Sequence, residues 1–233
     1  MNIFVLGKEP LFPSVNFTSN IGLLAMGGDL SYKRLVNAYS NGIFPWYSEG
    51  EPILWWSPNP RCVLFPFELH VSKSMRKLLS KNLFNLTCDK NFKEVIENCA
   101  KQRKSQKKTW ITDEMIDAYS ELHKSGLAHS VEVWKDKELV GGLYGVSLGN
   151  CFFGESMFYK ITNASKFGFI MFVKKLQHMG FLMVDCQVKT WHLMNLGARE
   201  IPRAEFIKKL NECLEHKTLK GNWGFLMPDF KSG

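Results

Sequence analysis

The sequence predicts an α+β fold in two parts: a small, loop-rich N-terminal domain at residues 1–67 and a larger α/β domain with a mostly antiparallel sheet at residues 68–233. Glycine, proline and aromatic residues crowd the first part, which disfavours long helices and central strands there. The second part carries apolar residues first at helical spacing and then at strand spacing. With 45% apolar residues over 233 positions, the chain can fill a core.

Three helices are predicted before residue 128. The first covers residues 32–41, where Ser31 can cap the start and Gly42 can end the helix. Apolar residues recur at helical spacing over residues 91–100 and again over residues 112–124. Thr112 can cap the last of these helices.

A change of period near residue 128 predicts three strands, at residues 128–134, 139–148 and 151–158. The connections between them are short turns, which makes the strands antiparallel neighbours. The expected elements after them are a long helix at 164–179, a strand at 181–185, and helices at 190–196 and 203–215.

The order β-β-β-α-β-α predicts an N-acetyltransferase-like (GNAT-like) core, with a ligand cleft where the central strands separate. An acetyl-CoA enzyme needs a glycine-rich turn before the long helix to bind pyrophosphate. The turn at residues 160–166 has no glycine, so this fold is expected without its usual cofactor.

The positive charge of the chain is concentrated in one segment. The net charge is +8, and residues 71–108 alone hold eleven Lys and Arg against three acids. A localised basic segment is typical of a surface that binds a phosphate backbone. The alternative interpretation is a solvated loop with solubilising charge.

The remaining composition excludes several classes of protein. The six cysteines show no CxxC or metal-finger spacing, which favours reduced thiols and a cytoplasmic location. The histidines have no HxxxH or HxH spacing, so no metal is expected. We find no signal peptide and no apolar run of membrane-spanning length.

Three tryptophans, Trp46, Trp55 and Trp56, fall within eleven residues among four prolines. Such a tract predicts a stiff loop, tipped by Arg61, that presents aromatic faces for stacking on a base or an apolar side chain. The alternative is a loop that fills a domain interface.

Two strands carry candidate catalytic groups. Asp185 and Gln187 are two residues apart at the end of a predicted strand, so they should share a face. Glu155 lies in an apolar strand, where a carboxylate is costly unless it is paired or used. Cys186 should point to the opposite face, which disfavours a thiol nucleophile assisted by His192.

Several motifs together resemble the leucyl/phenylalanyl-tRNA–protein transferase family, in register from about residue 10 to about residue 206. The motifs are Gly22-Leu-Leu-Ala-Met-Gly-Gly-Asp-Leu-Ser31, Gly42-Ile-Phe-Pro-Trp46, Leu54-Trp-Trp-Ser-Pro-Asn-Pro-Arg61, His129-Ser-Val-Glu-Val-Trp134, Gly154-Glu-Ser-Met-Phe158, Asn163-Ala-Ser-Lys166 and Asp185-Cys-Gln187. The residues after about 207 match no motif that the resemblance interprets.

The resemblance implies a bacterial enzyme that transfers Leu or Phe, with Met as a third candidate, from aminoacyl-tRNA to the α-amine of an N-terminal Arg or Lys. The added residue marks the acceptor protein for N-end-rule degradation. An aminoacyl ester is already activated, so no cofactor is expected, and positioning supplies most of the catalysis. We expect a monomer.

The resemblance also implies roles for individual residues. Asp185, Gln187 and Glu155 would be the catalytic group, with Gln187 as an orienting acceptor. The pocket for the amino-acid side chain would be lined by Leu143, Phe152, Phe169, Phe172 and Val184. The terminal adenosine of the tRNA would stack near Trp46 and Trp110, with Tyr39 and Tyr119 nearby. The tRNA backbone would be held by Lys73, Arg76, Lys77, Lys101, Arg103, Lys104, Lys107 and Lys108.

Two other functions fit parts of the sequence. An N-acyltransferase that uses acyl-CoA would fit the fold, but the turn without glycine opposes it. A non-catalytic RNA-binding module would explain the basic segment and the tryptophans. Such a module would not explain acid and amide groups that converge on an apolar pocket.

Overall fold

A computed structural model describes residues 3–81, 83–105 and 110–227, without the side chains of residues 103–105. These residues form a mixed α/β protein with seven α-helices and two mixed sheets. None of the helices in these ranges is both long enough and apolar enough to cross a membrane.

The smaller sheet comes from the N-terminal residues and has the strand order β1-β2-β4-β3. Strand β1 pairs parallel to β2, and the other pairs are antiparallel. Helix α1 connects β2 to β3 and begins where predicted, because the Ser31 hydroxyl accepts a hydrogen bond from the backbone N–H of Arg34. The bounds are β1 (Phe4–Leu6), β2 (Leu23–Gly27), α1 (Tyr32–Ser40), β3 (Phe44–Pro45) and β4 (Leu54–Trp56).

The larger sheet has seven strands in the order β11-β5-β10-β9-β8-β7-β6. Only β9 and β10 pair in parallel, so the predicted mostly antiparallel sheet is confirmed. Its strands are β5 (Arg61–Leu64), β6 (Asn85–Cys88), β7 (Ala128–Lys135), β8 (Glu138–Leu148), β9 (Cys151–Tyr159), β10 (Met183–Gln187) and β11 (Arg199–Ile201).

Apolar layers cover both faces of this sheet. One layer joins it to α3, α4, α7 and the smaller sheet, and the other joins it to α2, α5 and the C-terminal residues. The helices are α2 (Lys73–Leu79), α3 (Phe92–Ser105), α4 (Asp113–Lys124), α5 (Ala164–His178), α6 (Trp191–Met194) and α7 (Arg203–Leu214). Every helix and strand that the sequence predicted is present, with ends shifted by a few residues.

The tryptophan tract differs from the prediction of a single exposed loop. Trp55 lies in β4, an inner strand of the smaller sheet, where it is fully buried and donates its indole N–H to the Gly27 carbonyl at 2.9 Å. The prolines do not prevent this, since Pro45 lies in the edge strand β3 and β4 itself contains none. Trp46 remains exposed.

Arg61 is also placed differently from the prediction that it tips a loop. It is fully buried at the start of β5, an inner strand of the larger sheet. The predicted division at residue 67 stays a prediction, and β5, which precedes it, pairs within the larger sheet.

Candidate active site

A cavity of about 490 Å³ opens where β8, β9 and β10 meet α5, α6 and the residues of β3. This volume suits an amino-acid side chain together with part of a second group. One wall is apolar, and a few polar groups, chiefly Glu155 and Gln187, interrupt the other.

The apolar wall contains four of the five predicted pocket residues: Leu143, Phe152, Phe169 and Val184. The fifth, Phe172, stands behind Phe152, and the two rings meet edge to face at 4.8 Å. Met157 and Leu193 complete the wall. The prediction omitted these two residues, since an apolar residue in a strand or helix does not reveal that it faces a cavity.

Trp46 and Trp110, the two residues predicted to stack on the terminal adenosine, both line this cavity. Trp46 is 44% exposed, and its ring meets that of Trp56 at 5.8 Å. The Trp56 indole N–H donates to the Trp46 carbonyl at 2.7 Å, which fixes the backbone beside the exposed ring.

Tyr39 and Tyr119 are placed differently from Trp46 and Trp110. Both side chains are fully buried outside the cavity lining, and their hydroxyls bond to each other and to the Glu155 carboxylate. Burial, followed by the Glu155 charge, raises the pKa of each tyrosine well above its usual value, so both remain protonated donors. The prediction that Tyr39 and Tyr119 lie near the terminal adenosine stays a prediction, and the structure places both beside Glu155, which lines the cavity.

Glu155 is the centre of this polar cluster. Its carboxylate accepts hydrogen bonds from Tyr39 at 2.7 Å, Tyr119 at 3.2 Å and the Gln187 amide nitrogen at 2.8 Å. Burial raises the pKa of Glu155 to about 7, although these three donors oppose the rise and the Asp185 charge adds to it. The pKa of Glu155 therefore lies well above that of an ordinary glutamate.

Asp185 pairs with an arginine that the prediction did not connect to it. The guanidinium of Arg61 donates to both carboxylate oxygens, at 2.8 and 2.6 Å. Arg61 also donates to the Gly42 carbonyl at 3.2 Å and stacks over the rings of Phe44 and Phe206. Asp185 is fully buried and does not line the cavity, so it supports the site from behind.

Gln187 reaches the cavity because β10 is irregular at its end. The pairing with β5 shifts register between Asp185 and Gln187, and Gln187 has a φ of 60°. The backbone N–H of Gln187 donates to the Asp185 carboxylate at 2.9 Å. With its amide nitrogen bound to Glu155, Gln187 keeps its carbonyl oxygen available to a ligand.

The irregularity corrects two predictions that assumed regular alternation along the strand. Asp185 and Gln187 do not present their side chains together, since one pairs with Arg61 and the other with Glu155. Cys186 lines the cavity beside Gln187 instead of pointing away from it.

The predicted basic surface is described only in part. Lys73, Arg76 and Lys77 are exposed on α2, and Lys101 is exposed on α3. Arg103 and Lys104 belong to α3, but their side chains lie outside the described atoms; Lys107 and Lys108 lie outside the described residues.

The six cysteines are free thiols, and all but Cys186 are buried. Within the described ranges, no three His, Cys, Asp or Glu side chains are grouped as a metal site requires. The polar side chains that line the cavity include those of Glu155, Gln187, Ser156, Thr190, His192 and Cys186.

Comparison with known proteins gives the family. The model of the leucyl/phenylalanyl-tRNA protein transferase family matches residues 63–211, and the model of its N-terminal domain matches residues 28–59. A leucyl/phenylalanyl-tRNA–protein transferase from Syntrophus aciditrophicus is 56% identical over 96% of this chain and 94% of its own length. One from Nitrosospira multiformis is 54% identical over 94% and 96%. The chain belongs to the leucyl/phenylalanyl-tRNA–protein transferase family.

Solved structures add little to this assignment. L-PGS from Bacillus licheniformis matches with a TM-score of 0.42 and 9% identity over 72% of this chain and 54% of its own. A conserved protein of unknown function from Bacteroides thetaiotaomicron matches with a TM-score of 0.40 and 9% identity over 68% and 56%. TM-scores of this size do not establish a common fold.

The raised pKa of Glu155 predicts a pH-dependent stability. The folded pKa of about 7 exceeds the ordinary 4.5, so the contribution of Glu155 is fully present below pH 4.5 and is lost as the pH rises through 7. Relative to Glu155→Gln, the unchanged protein should lose on the order of 3 kcal/mol of unfolding free energy over that range. Denaturant unfolding at a series of pH values measures this difference.

Glu121→Gln is the matched control, because the Glu121 carboxylate is exposed. It should leave the pH dependence of the unchanged protein intact. If the unfolding free energies of Glu155→Gln and the unchanged protein varied with pH in the same way, the raised pKa of Glu155 would be contradicted.

Proposed function

We propose that this protein transfers a leucyl or phenylalanyl group from its tRNA to the α-amine of an N-terminal Arg or Lys of an acceptor protein, which marks the acceptor for N-end-rule degradation. Family membership supports an aminoacyltransferase of this kind. The observation that carries the proposal is the apolar cavity of about 490 Å³, with the Glu155–Gln187 pair at its wall.

The donor would place its amino-acid side chain against the apolar wall of Leu143, Phe152, Phe169 and Val184. A wall without polar groups selects by shape, at about 1–3 kcal/mol per methylene. It would therefore exclude β-branched side chains by steric clash. The terminal adenosine would stack at Trp46 and Trp110, since Trp46 has an exposed ring face at the cavity.

The acceptor would bring its amine to the carbonyl oxygen of Gln187. Such an amine has a pKa of about 7.7–8.0, so roughly a tenth is neutral at pH 7. An amide is a very weak base, so Gln187 would not take the proton; its carbonyl oxygen would orient the neutral amine by accepting a hydrogen bond from one of the amine N–H groups. The new C–N bond forms as the ester C–O bond breaks, and the amine proton ends on the ribose hydroxyl that leaves.

Glu155 and Asp185 would have separate supporting roles. Glu155 binds the Gln187 amide nitrogen and thereby directs the amide oxygen toward the amine. Asp185 accepts the Gln187 backbone N–H and holds the irregular end of β10. Tyr39 and Tyr119 would act on Glu155 as hydrogen-bond donors.

The tRNA backbone would contact the basic surface of α2 and α3, where Lys73, Arg76, Lys77 and Lys101 are exposed. These contacts would bind phosphates without reading sequence. Four further statements remain proposals. The larger part would have a GNAT-like architecture, and the domain division would fall at residue 67. The protein would be a monomer and would lie in the cytoplasm.

Mass spectrometry of a peptide with an N-terminal arginine tests the reaction. After incubation with the protein and leucyl-tRNA, the peptide should gain the mass of one leucine residue, and RNase treatment of the donor should abolish the gain. A peptide with an N-terminal glutamate is the acceptor control. Tight tRNA binding without any transfer would favour a non-catalytic RNA-binding module instead.

Gln187→Ala should lower the rate of transfer about 100-fold, because the amine loses the acceptor that orients it. The affinity for leucyl-tRNA should change little. Cys186→Ala is the control and should leave the rate of transfer unchanged. Cys186 precedes Gln187 and lines the same cavity, but it makes no hydrogen bond to Glu155. Activity of Gln187→Ala equal to that of the unchanged protein would refute the role of Gln187.

A further inference from the structure

The apolar wall of the cavity rests on the C-terminal segment, which we define as residues 218–227. Both family models end before it, at residues 59 and 211. The Gly149 N–H donates to the Thr218 hydroxyl at 2.8 Å, and the Gly221 N–H donates to the Gly126 carbonyl at 3.2 Å. These bonds hold the segment against the larger sheet.

Trp223 is the anchor of the C-terminal segment. Its side chain is fully buried, its backbone N–H donates to Asp89 at 2.7 Å, and its indole N–H donates to the Leu219 carbonyl at 3.1 Å. The His129 ring stacks on the indole at 3.7 Å and bonds through Nδ1 to the same Asp89 oxygen at 2.8 Å. Packing and hydrogen bonds therefore fix the indole in one place.

The fixed indole touches the pocket wall from behind. Phe152 lines the cavity, and the centroid of its ring lies 6.4 Å from that of the indole. The corresponding distance for Phe172 is 6.2 Å. Phe152 and Phe172 also meet each other at 4.8 Å. The three rings belong to one buried core cluster, and because protein cores are close-packed, we expect the indole to limit how far Phe152 can withdraw from the cavity.

We propose that Trp223 is a positioning residue that sets the depth of the amino-acid pocket, so that the C-terminal segment takes part in the choice between leucine and phenylalanine. This inference rests on the proposed function. A smaller ring at position 223 would leave space behind Phe152, and Phe152 would relax into it. The pocket would then deepen and admit the larger aromatic side chain more readily than before.

The test compares leucyl-tRNA and phenylalanyl-tRNA as donors for one preparation of Trp223→Phe. The ratio of kcat/KM for phenylalanine to kcat/KM for leucine should rise about tenfold. A loss of folded protein lowers both values by the same factor and leaves the ratio unchanged. The ratio therefore separates a role in the pocket from a role in stability alone.

Two further variants make the test specific. Trp134→Phe removes another indole, whose N–H donates to Thr87 at 2.8 Å away from the cavity, and it should leave the ratio unchanged. Phe181→Leu loosens the indole from another side, where the Phe181 ring meets it edge to face at 5.8 Å. Phe181→Leu should shift the ratio in the same direction as Trp223→Phe. If Trp223→Phe does not fold, the ratio measured for Phe181→Leu decides the test.

The route through Phe152 is tested by adding Trp223→Phe to Phe152→Leu. The ratio should not change in this background, because the ring through which Trp223 acts is gone. An unchanged ratio in both Trp223→Phe and Phe181→Leu would overturn the proposal, as would a shift that persists in the Phe152→Leu background. An unchanged protein that transfers neither amino acid would instead overturn the proposed function.

Discussion

The buried ion pair between Arg61 and Asp185 is the interaction on which the site depends. Both side chains are withdrawn from water, and such a pair is tolerated only when its geometry and its other hydrogen bonds are nearly complete. Arg61 meets this condition with two bonds to Asp185 and one to Gly42. The pair thereby joins β5 and β10 of the larger sheet to the residues just before β3, so the exposed Trp46 is held in a fixed relation to Gln187.

The pair also explains how β10 can end irregularly. A non-glycine residue with positive φ costs about 1–3 kcal/mol and persists only where the surroundings impose it. For Gln187 these surroundings are the Asp185 carboxylate, which binds its backbone N–H, and Glu155, which binds its side chain. The strain is therefore concentrated at the residue that our proposal brings to the reacting amine. Two buried carboxylates thus hold one residue: Asp185 accepts from the backbone N–H of Gln187, and Glu155 accepts from its side-chain amide.

The long periodic elements could be predicted from the sequence. Strands β7, β8 and β9 and helix α5 are long enough for their apolar period to show, and Ser31 and Thr112 mark helix starts by capping. A short strand such as β5 contains too few residues for its apolar period to be recognised. The burial of Arg61 therefore could not be predicted from the sequence. The alternation rule failed at β10, because a register shift depends on tertiary contacts.

The candidate site was predictable where residue chemistry was unusual for its surroundings. Glu155 stood out as an acid in an apolar strand, and the apolar wall followed from a resemblance that the family models support. Tyr39 and Tyr119 were expected near the adenosine from the resemblance alone, and no pattern in the sequence indicated that their hydroxyls bond to Glu155. Trp223 could not be connected to Phe152 from the sequence, since nothing in the chain marks contacts between such distant residues.

The most direct test of this account measures kcat and the Kd for leucyl-tRNA in Arg61→Lys. Lysine lacks the planar fork that binds both oxygens of Asp185, so the account predicts a kcat lowered at least about tenfold with the Kd unchanged. Arg34→Lys is the control, because Arg34 is equally buried but pairs with Asp29 beside the smaller sheet. A folded Arg61→Lys protein with unchanged kcat would contradict the claim that this ion pair positions Gln187.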